Sequence, residues 1–583
     1  MVCIGLRDDT VSFLIGGEAG QGIMRSGFLL GRALMRGGLH IFGANDYPSL
    51  IRGGHNFYIL RASETEVHSQ GDGVDLLIAL DDETVRLHIH EVYGGGAVIY
   101  DEESRLKPED LRGGVRACPT PLTGVVEEMG GPRVVRNTVA LGVALSLVGF
   151  DLEPMRGVIR DAFRGRERII EMNLRAVERG YEYAEDNFEA LEVRVEPSRS
   201  PKARIMVTGN EAVALGAIGA GCRFYAAYPM TPATPILHYL AAHDEEAGMV
   251  VLQAESEIAA INMVVGAAYA GVRAMTATSG GGFCLMTEAL GLAAMTETPL
   301  VLVLNQRPGP STGMATYTSQ GDLLFTLHAS QGEFPRVVVA PGDVDECFYL
   351  TMEAFNLAER YQVPVIILAD KYLAESHKST SPFDPSRVAV DRGDLLTEWP
   401  GEEEYRRYRL TESGISPRIL PGVGGATMLA NTNEHDEYGY ATTEPEMVKA
   451  MMDKRFRKLE ALRGEIEGLN PVRVYGEEEA EVSIVGWGST KGPALEALKL
   501  LRRGGIEARF IQPVYLEPFP RGAMERLLSG DEPKLLVEMN KTAQLGSLIG
   551  LHIGYVFKHR LLRYDGRPVN PGEIYEAVKE VLG

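Results

Sequence analysis

The sequence predicts an α/β protein of three domains, each a mostly parallel sheet flanked by helices. Three observations predict it. The chain has 583 residues, and one hydrophobic core seldom grows past about 250–300. Short runs that are apolar on both faces recur along it, as buried parallel strands require. Glycine clusters and helical stretches stand between these runs, in the strand–turn–helix order of doubly wound units; many of the 66 glycines fall in such clusters.

In chain order, residues 11–16 (VSFLIG) read as a buried strand, GGEAGQG (16–22) as the turn, and SGFLLGRALMRGG (26–38) as an amphipathic helix. VDLLIAL (74–80) and GAVIYD (96–101) read as further parallel strands, and 137–149 and 165–186 as helices. This gives a first domain over 1–190. The Pro-containing, basic stretch VRVEPSRSPKARI (193–205) breaks the pattern, so residues 191–204 read as a linker that would let the first domain move. Residues 205–385 alternate strands and helices again and form a second domain. Residues 386–480 are an irregular connection followed by a charged helix over 447–469. The third domain, 481–583, has strands expected at 482–490, 508–520 and 534–540.

Composition excludes several functions. The net charge of −22 argues against nucleic acid as a partner, because phosphate binding needs clustered Lys and Arg. No two of the five cysteines stand at CxxC spacing, so neither an iron–sulfur cluster nor a metal site is expected in this chain. Nor is a disulfide framework, which fits a reducing cytoplasm. The first residues show no basic region leading into a long apolar run, and no 18-residue apolar stretch is free of charge. Neither a signal peptide nor a membrane span is expected.

Five stretches carry candidate chemistry. In GGEAGQG, Gly16, Gly17, Gly20 and Gly22 either make a tight turn or let backbone N–H groups approach an anion at a helix N-terminus. Gly71-Asp72-Gly73 reads as a turn, since it precedes a strand and the next Asn is Asn137. YPMTPATP (228–235) comes after an apolar run, at the edge where open α/β sheets bind ligands. There Thr231 either offers its hydroxyl to a polar substrate or caps the next helix. AESEIAAINMVVGAAYAG (254–271) brings Glu255 and Glu257 into a helix whose apolar positions leave little solvated face. One of them is either a buried proton donor or a charge on the helix dipole. Finally, PLVLVLNQ places Arg307 at the end of a strand too apolar to lie at the surface. Arg binds carboxylates bidentately; the alternative is an exposed loop cation.

Together, YPMTPATP, QAESEIAAINMVVGAAYAG, TSGGGFCLM, NQRPGPSTG and NEHDEYG (433–439) resemble the α subunit of the 2-oxoacid:ferredoxin oxidoreductases, in particular its 2-oxoglutarate (KorA-type) branch. GGEAGQG and SLIRGGHNFYILR (49–61) resemble that family's γ domain, fused ahead of the α part. The resemblance covers nearly the whole chain. It implies a γ-type domain, a pyrimidine-type thiamine diphosphate domain over 205–385 and a transketolase C-terminal-type domain. It further implies that thiamine diphosphate is shared with a β subunit holding the diphosphate, Mg²⁺ and a [4Fe–4S] cluster, with ferredoxin as electron acceptor and coenzyme A taking the acyl group. Glu257 then matches the residue at N1′ of the aminopyrimidine, with Tyr228 and Pro229 on the cofactor side. Thr231 and Arg307 match the positions that hold the substrate C1 carboxylate. Gly16, Gly17, Gly20, Gly22 and Arg52 become candidates for coenzyme A. One departure is the Pro-Met-Thr-Pro-Ala form of the loop, where Ile and Ser are commoner; it bears on the substrate side chain. Two readings stand beside this one: another thiamine enzyme of transketolase or 2-oxoacid dehydrogenase type, and a non-enzymatic assembly or nucleotide-sensing protein.

Overall fold

The computed structural model describes residues 10–48, 54–106, 111–195, 202–401 and 403–583. Its architecture is α/β throughout, with sheets of eight, seven and five strands among the described residues.

The first sheet has a parallel half, in the order Arg116–Thr120, Val92–Asp101, Val74–Ala79, Thr10–Glu18. Val11, Phe13 and Ile15 of the central strand are fully buried, as a strand covered on both faces requires. The helices Arg136–Leu147 and Glu167–Asn187 cover one face and touch backbone to backbone: a Cβ on Gly142 would stand 2.1 Å from the Val177 carbonyl, and one on Gly180 2.1 Å from that of Val139. Beyond Thr10–Glu18 the sheet turns antiparallel through His55–Ser63 and His40–Asp46. The sequence reading did not expect these two strands. They mix buried with half-exposed positions, so they lack the unbroken apolar run of a parallel strand.

Two more strands complete this sheet, and both come from beyond residue 204. His377–Thr380 pairs with His40–Asp46, and Ile205–Thr208 closes the far edge. The expected mobility of the first domain is therefore corrected. Backbone ladders tie it to the next segment, and the Arg61–Glu496 ion pair, 3.0 Å apart and almost fully buried, ties it to the last. Of the expected linker, residues 196–201 lie outside the described residues.

The second sheet runs Val337–Val339, Pro364–Asp370, Leu300–Gln306, Ala274–Thr278, Phe224–Ala227, Val250–Gln253, all parallel. Tyr515–Glu517 adds an antiparallel strand at its edge. The stretch expected as one strand over 508–520 thus splits at Val514, and its second half leaves the third sheet for the second. The third sheet keeps Val482–Val485, Ala508–Pro513 and Lys534–Glu538, flanked by the edge strands Val472–Gly476 and His559–Leu562. The charged helix forms over Pro445–Gly468. Its Lys454 and Lys458 reach the fully buried Glu297, with Lys454 Nζ 2.5 Å from Oε1. Among the described residues, no helix is long and apolar enough to cross a membrane.

Candidate active site

The candidate residues of the second sheet converge because parallel strands deliver their succeeding loops to one edge. Tyr228 comes after Phe224–Ala227, Ser279–Gly282 after Ala274–Thr278, and Arg307 after Leu300–Gln306. The segment after Val250–Gln253 brings Glu255 and Glu257 to the same edge.

The two glutamates separate cleanly. Ser256 caps the helix Glu257–Tyr269, its hydroxyl accepting the Ala259 N–H. Glu255 stays outside and exposed, whereas Glu257 is only 4% exposed. The Glu257 carboxylate lies against the first turn of the helix Gly280–Met295, where a Cβ on Gly282 would stand 2.7 Å from Oε1. That oxygen is buried without a hydrogen-bond partner, a costly state unless something else supplies one. The Gly280–Gly282 run is therefore a cradle shaped by the absence of side chains.

The helix of Glu257 is buried on one side only. Ile258 and Met263 are 52% and 43% exposed, and Leu285 on the neighbouring helix is 51% exposed. The expectation of a helix with little solvated face is corrected: its outer side is apolar and open. Val250 and Leu252 on the edge strand extend this surface. These exposed apolar side chains lie on the elements that carry the buried, unpartnered acid or pack beside it.

Arg307 is half-buried and donates from Nη1 to the Thr231 carbonyl at 2.6 Å, joining the two loops. Burial pushes its guanidinium pKa down, and the Asp322 carboxylate opposes that shift. Thr231 does not cap the following helix; Ala233 holds that position without a side-chain bond. Tyr228 is exposed at the rim and Pro229 is half-exposed beside it. Two residues that the sequence reading missed hold this loop: Asn305 donates to Asn210 Oδ1 at 2.8 Å, and Asn210 donates to the Pro232 carbonyl at 2.9 Å. Asp322 was also missed. Its backbone N–H is held by Gln306 and its Oδ2 is buried against Gly280. A single Asp in a polar loop gives no sequence signal, because only folding brings residue 322 to Arg307.

The first domain's glycines divide. Gly16 and Gly17 belong to the strand, where a Cβ would stand 2.5 Å from Thr84 and 2.7 Å from Gln21, so their small size serves packing. Gly20 and Gly22 form the turn, at φ +94° and +82°, where only glycine is unstrained. Asn137 donates to the Gln21 carbonyl at 2.7 Å and fixes that turn. A cavity of about 560 Å³ beside it is lined by Arg86, Arg133 and Arg136 among other residues. Arg52 lies outside the described residues. Gly71–Gly73 is a bend before a strand, as expected, with Asp72 accepting the Gly572 N–H. The 433–439 stretch clasps the charged helix through Glu434 and Arg455.

A family model described as "Pyruvate flavodoxin/ferredoxin oxidoreductase, thiamine diP-bdg" matches residues 215–454, which hold every candidate of the second sheet. One described as "Pyruvate ferredoxin/flavodoxin oxidoreductase" matches residues 12–183. The chain is 38% identical to the 2-oxoacid:ferredoxin oxidoreductase 2 subunit alpha of Aeropyrum pernix, across 98% of both. It is 36% identical to the 2-oxoglutarate synthase subunit KorA of Methanothermobacter thermautotrophicus, a match taking in 64% of this chain and 97% of the other. Among solved structures, the 2-oxoglutarate:ferredoxin oxidoreductase from Magnetococcus marinus, with 2-oxoglutarate, coenzyme A and succinyl-CoA bound, superposes with a TM-score of 0.92. That match has 35% identity and spans 99% of this chain and 100% of that one.

Proposed function

The chain belongs to the 2-oxoacid:ferredoxin oxidoreductases as an alpha subunit, and on that premise we propose that it supplies the pyrimidine side of a thiamine diphosphate site and the carboxylate clamp for a 2-oxoacid. The observation that carries this is Glu257: a buried acid with one unpartnered oxygen, in a glycine cradle, beside an open apolar surface.

The residues present fit the pyrimidine end of the cofactor. Glu257 offers the orphan oxygen a proton-bearing ring nitrogen would satisfy, Gly282 keeps the carboxylate in reach, and Tyr228 and Pro229 stand at the rim. When bound, thiamine diphosphate supplies the carbanion chemistry that breaks the bond to the departing CO₂. This chain would exchange a proton at Glu257 Oε1, fix the substrate carboxylate with Arg307 and Thr231, and keep the loop rigid through Asn210 and Asn305. A β subunit is proposed to supply the diphosphate site, Mg²⁺ and a [4Fe–4S] cluster that passes electrons to ferredoxin, and to cover Ile258, Met263 and Leu285. The substrate we favour is 2-oxoglutarate, the compound bound in the Magnetococcus marinus protein and named in the KorA relative. The product would be the acyl-coenzyme A.

Two seats offer themselves for coenzyme A. One is the glycine turn at the N-terminus of Ile23–Arg36, where backbone N–H groups suit a phosphate; the cavity near it carries four arginines but also six carboxylates, among them Asp81, Asp82 and Asp101, which oppose an anion. The other, about 610 Å³, lies where the three domains meet; Thr316–Thr318, Lys371, Arg563 and Arg567 line it together with Asp46, Asp72 and Glu573. Amide exchange on adding coenzyme A separates them: slowing at 19–23 selects the first seat, and slowing at 316–318 the second.

Reconstitution tests the reading as a whole. Alone, the chain should reduce no viologen with any 2-oxoacid; with a β-type partner it should do so only with thiamine diphosphate, Mg²⁺ and coenzyme A present. Full activity from the chain alone contradicts it. Arg307→Lys replaces a bidentate fork by a point charge, at a cost of about 1.5–3 kcal/mol, or about 10–150-fold in kcat/KM. Every 2-oxoacid should lose by a similar factor, since all share the C1 carboxylate. A loss confined to one substrate would assign Arg307 to the side chain instead.

A further inference from the structure

The carboxyl edge of the second sheet holds a second acid, half-buried as a residue but with one carboxylate oxygen out of water. Asp322 ends the loop that returns from Arg307, and its place is fixed from both sides. Its N–H is held by Gln306 Oε1 at 2.9 Å, and its carbonyl accepts the Thr326 hydroxyl at 2.7 Å. Its Oδ2 is buried with no hydrogen-bond partner, and a Cβ on Gly280 would stand 2.7 Å from it. The glycine run thus admits two acids, Glu257 at Gly282 and Asp322 at Gly280.

We propose that Asp322 is a positioning residue for the 2-oxoacid: a counter-charge behind Arg307 that carries a proton while the guanidinium holds the substrate carboxylate and is ionised when the clamp is empty. This rests on the reading of Arg307 as the clamp. No ion pair within 4 Å ties the two side chains, so Asp322 acts on Arg307 through the field and leaves the guanidinium's outer donors to a ligand.

Charge balance gives the direction. Burial pushes the Asp322 carboxyl up to about 6, and Arg307 opposes that rise. The titratable and charged groups around it are Arg307 at the strand end, Cys284 on the helix Gly280–Met295, and Glu257 at the far end of the same glycine run. A substrate carboxylate on Arg307 cancels the one cation that favours ionised Asp322 and adds a negative charge. The Asp322 pKa must then rise, and near neutral pH the site takes up a proton as the 2-oxoacid binds. By linkage, the affinity for the anion falls as pH rises through about 6, by about tenfold for each unit by which the bound anion lifts that pKa. After CO₂ has left, the proton returns to water, so no net proton is consumed.

Oxamate tests this without turnover, because it carries the C1 carboxylate and the 2-carbonyl. Its binding to the assembled, thiamine-loaded complex is measured by calorimetry from pH 5.5 to 8.5, in buffers of different ionisation enthalpy, which reads the protons taken up. The wild type should take up a fraction of a proton near pH 7 and bind less tightly at pH 8 than at pH 6. Asp322→Asn keeps the size and the backbone contacts; it should take up none and bind equally at both pH values. An unchanged proton count in Asp322→Asn, with binding still sensitive to Arg307→Lys, overturns the role of Asp322 alone. Oxamate binding indifferent to Arg307→Lys overturns the clamp, and this inference with it. Should Asp322→Asn fail to assemble, the wild type decides: no proton uptake between pH 6 and 8 overturns the proposal.

Discussion

Glu257→Gln is expected to abolish 2-oxoacid-dependent viologen reduction while leaving the assembled complex intact. The amide keeps the size and the helix position of the acid, so the Ser256 cap and the packing of Ile261 and Val264 are untouched. What it loses is the exchangeable carboxyl proton at a buried oxygen proposed to face the pyrimidine site. General acid–base groups contribute about 10²–10⁴-fold, and the loss should fall in that range. Gly282→Ala should give a related phenotype by a different route, since its methyl group would displace the carboxylate. Glu255→Gln, on an exposed side chain, should cost little. A crippled Glu255→Gln beside an active Glu257→Gln would move the role by two residues and refute the present assignment.

Glu297→Gln should have the largest effect on stability. One buried carboxylate faces Lys454, Lys458 and Arg407; burial raises its pKa, but the three cations outweigh burial and hold it well below the usual carboxylate range. Removing one partner of a buried ion pair costs about 3–5 kcal/mol, because the cations stay behind unpaired. The charged helix Pro445–Gly468 depends on this contact, so its amide exchange should speed up by about 10²–10⁴-fold. Adding Lys458→Met should restore part of the protection by removing one stranded charge. The sign with pH is set by the lowered pKa: in the wild type this stabilisation is present above the unfolded carboxylate value and is lost only as pH falls through the lower folded value. Glu297 itself does not titrate between pH 5 and 8, but burial pushes the Lys458 ammonium down to about 7, so any change of that helix's protection in this window, weakening as pH falls, reports Lys458. An exchange rate unchanged by Glu297→Gln would show that the helix docks by its apolar contacts alone.

Much of the site was legible in the sequence because its signals are local. Glu257 stands next to a capping Ser at the start of an apolar helix, and Arg307 ends a run of seven residues that fold as a fully buried strand. A parallel sheet sends both to the same edge, so reading the strands correctly was enough to place them together. The glycine turn was half legible. Gly20 and Gly22 need positive φ, whereas Gly16 and Gly17 are glycines because Thr84 and Gln21 come close, which no local pattern announces. Asn210, Asn305 and Asp322 were not legible, since each acts on a partner distant in sequence and is an ordinary polar residue where it stands.

The sequence by itself determined the α/β class, the strand–glycine–helix units, the family, and the place of residues such as Glu257 and Arg307 along one helix or one strand. Periodicity and motif order are local, and they survive without knowledge of the fold. Only the tertiary structure decided where one domain ends and the next begins. Ile205–Thr208 and His377–Thr380 close the first sheet, Tyr515–Glu517 closes the second, and Arg61 meets Glu496 across all of them. Sheet edges are satisfied by whichever strand reaches them, and buried charges by whichever counter-charge folds within reach. Both are settled by contacts between residues hundreds of positions apart, which a linear pattern does not record.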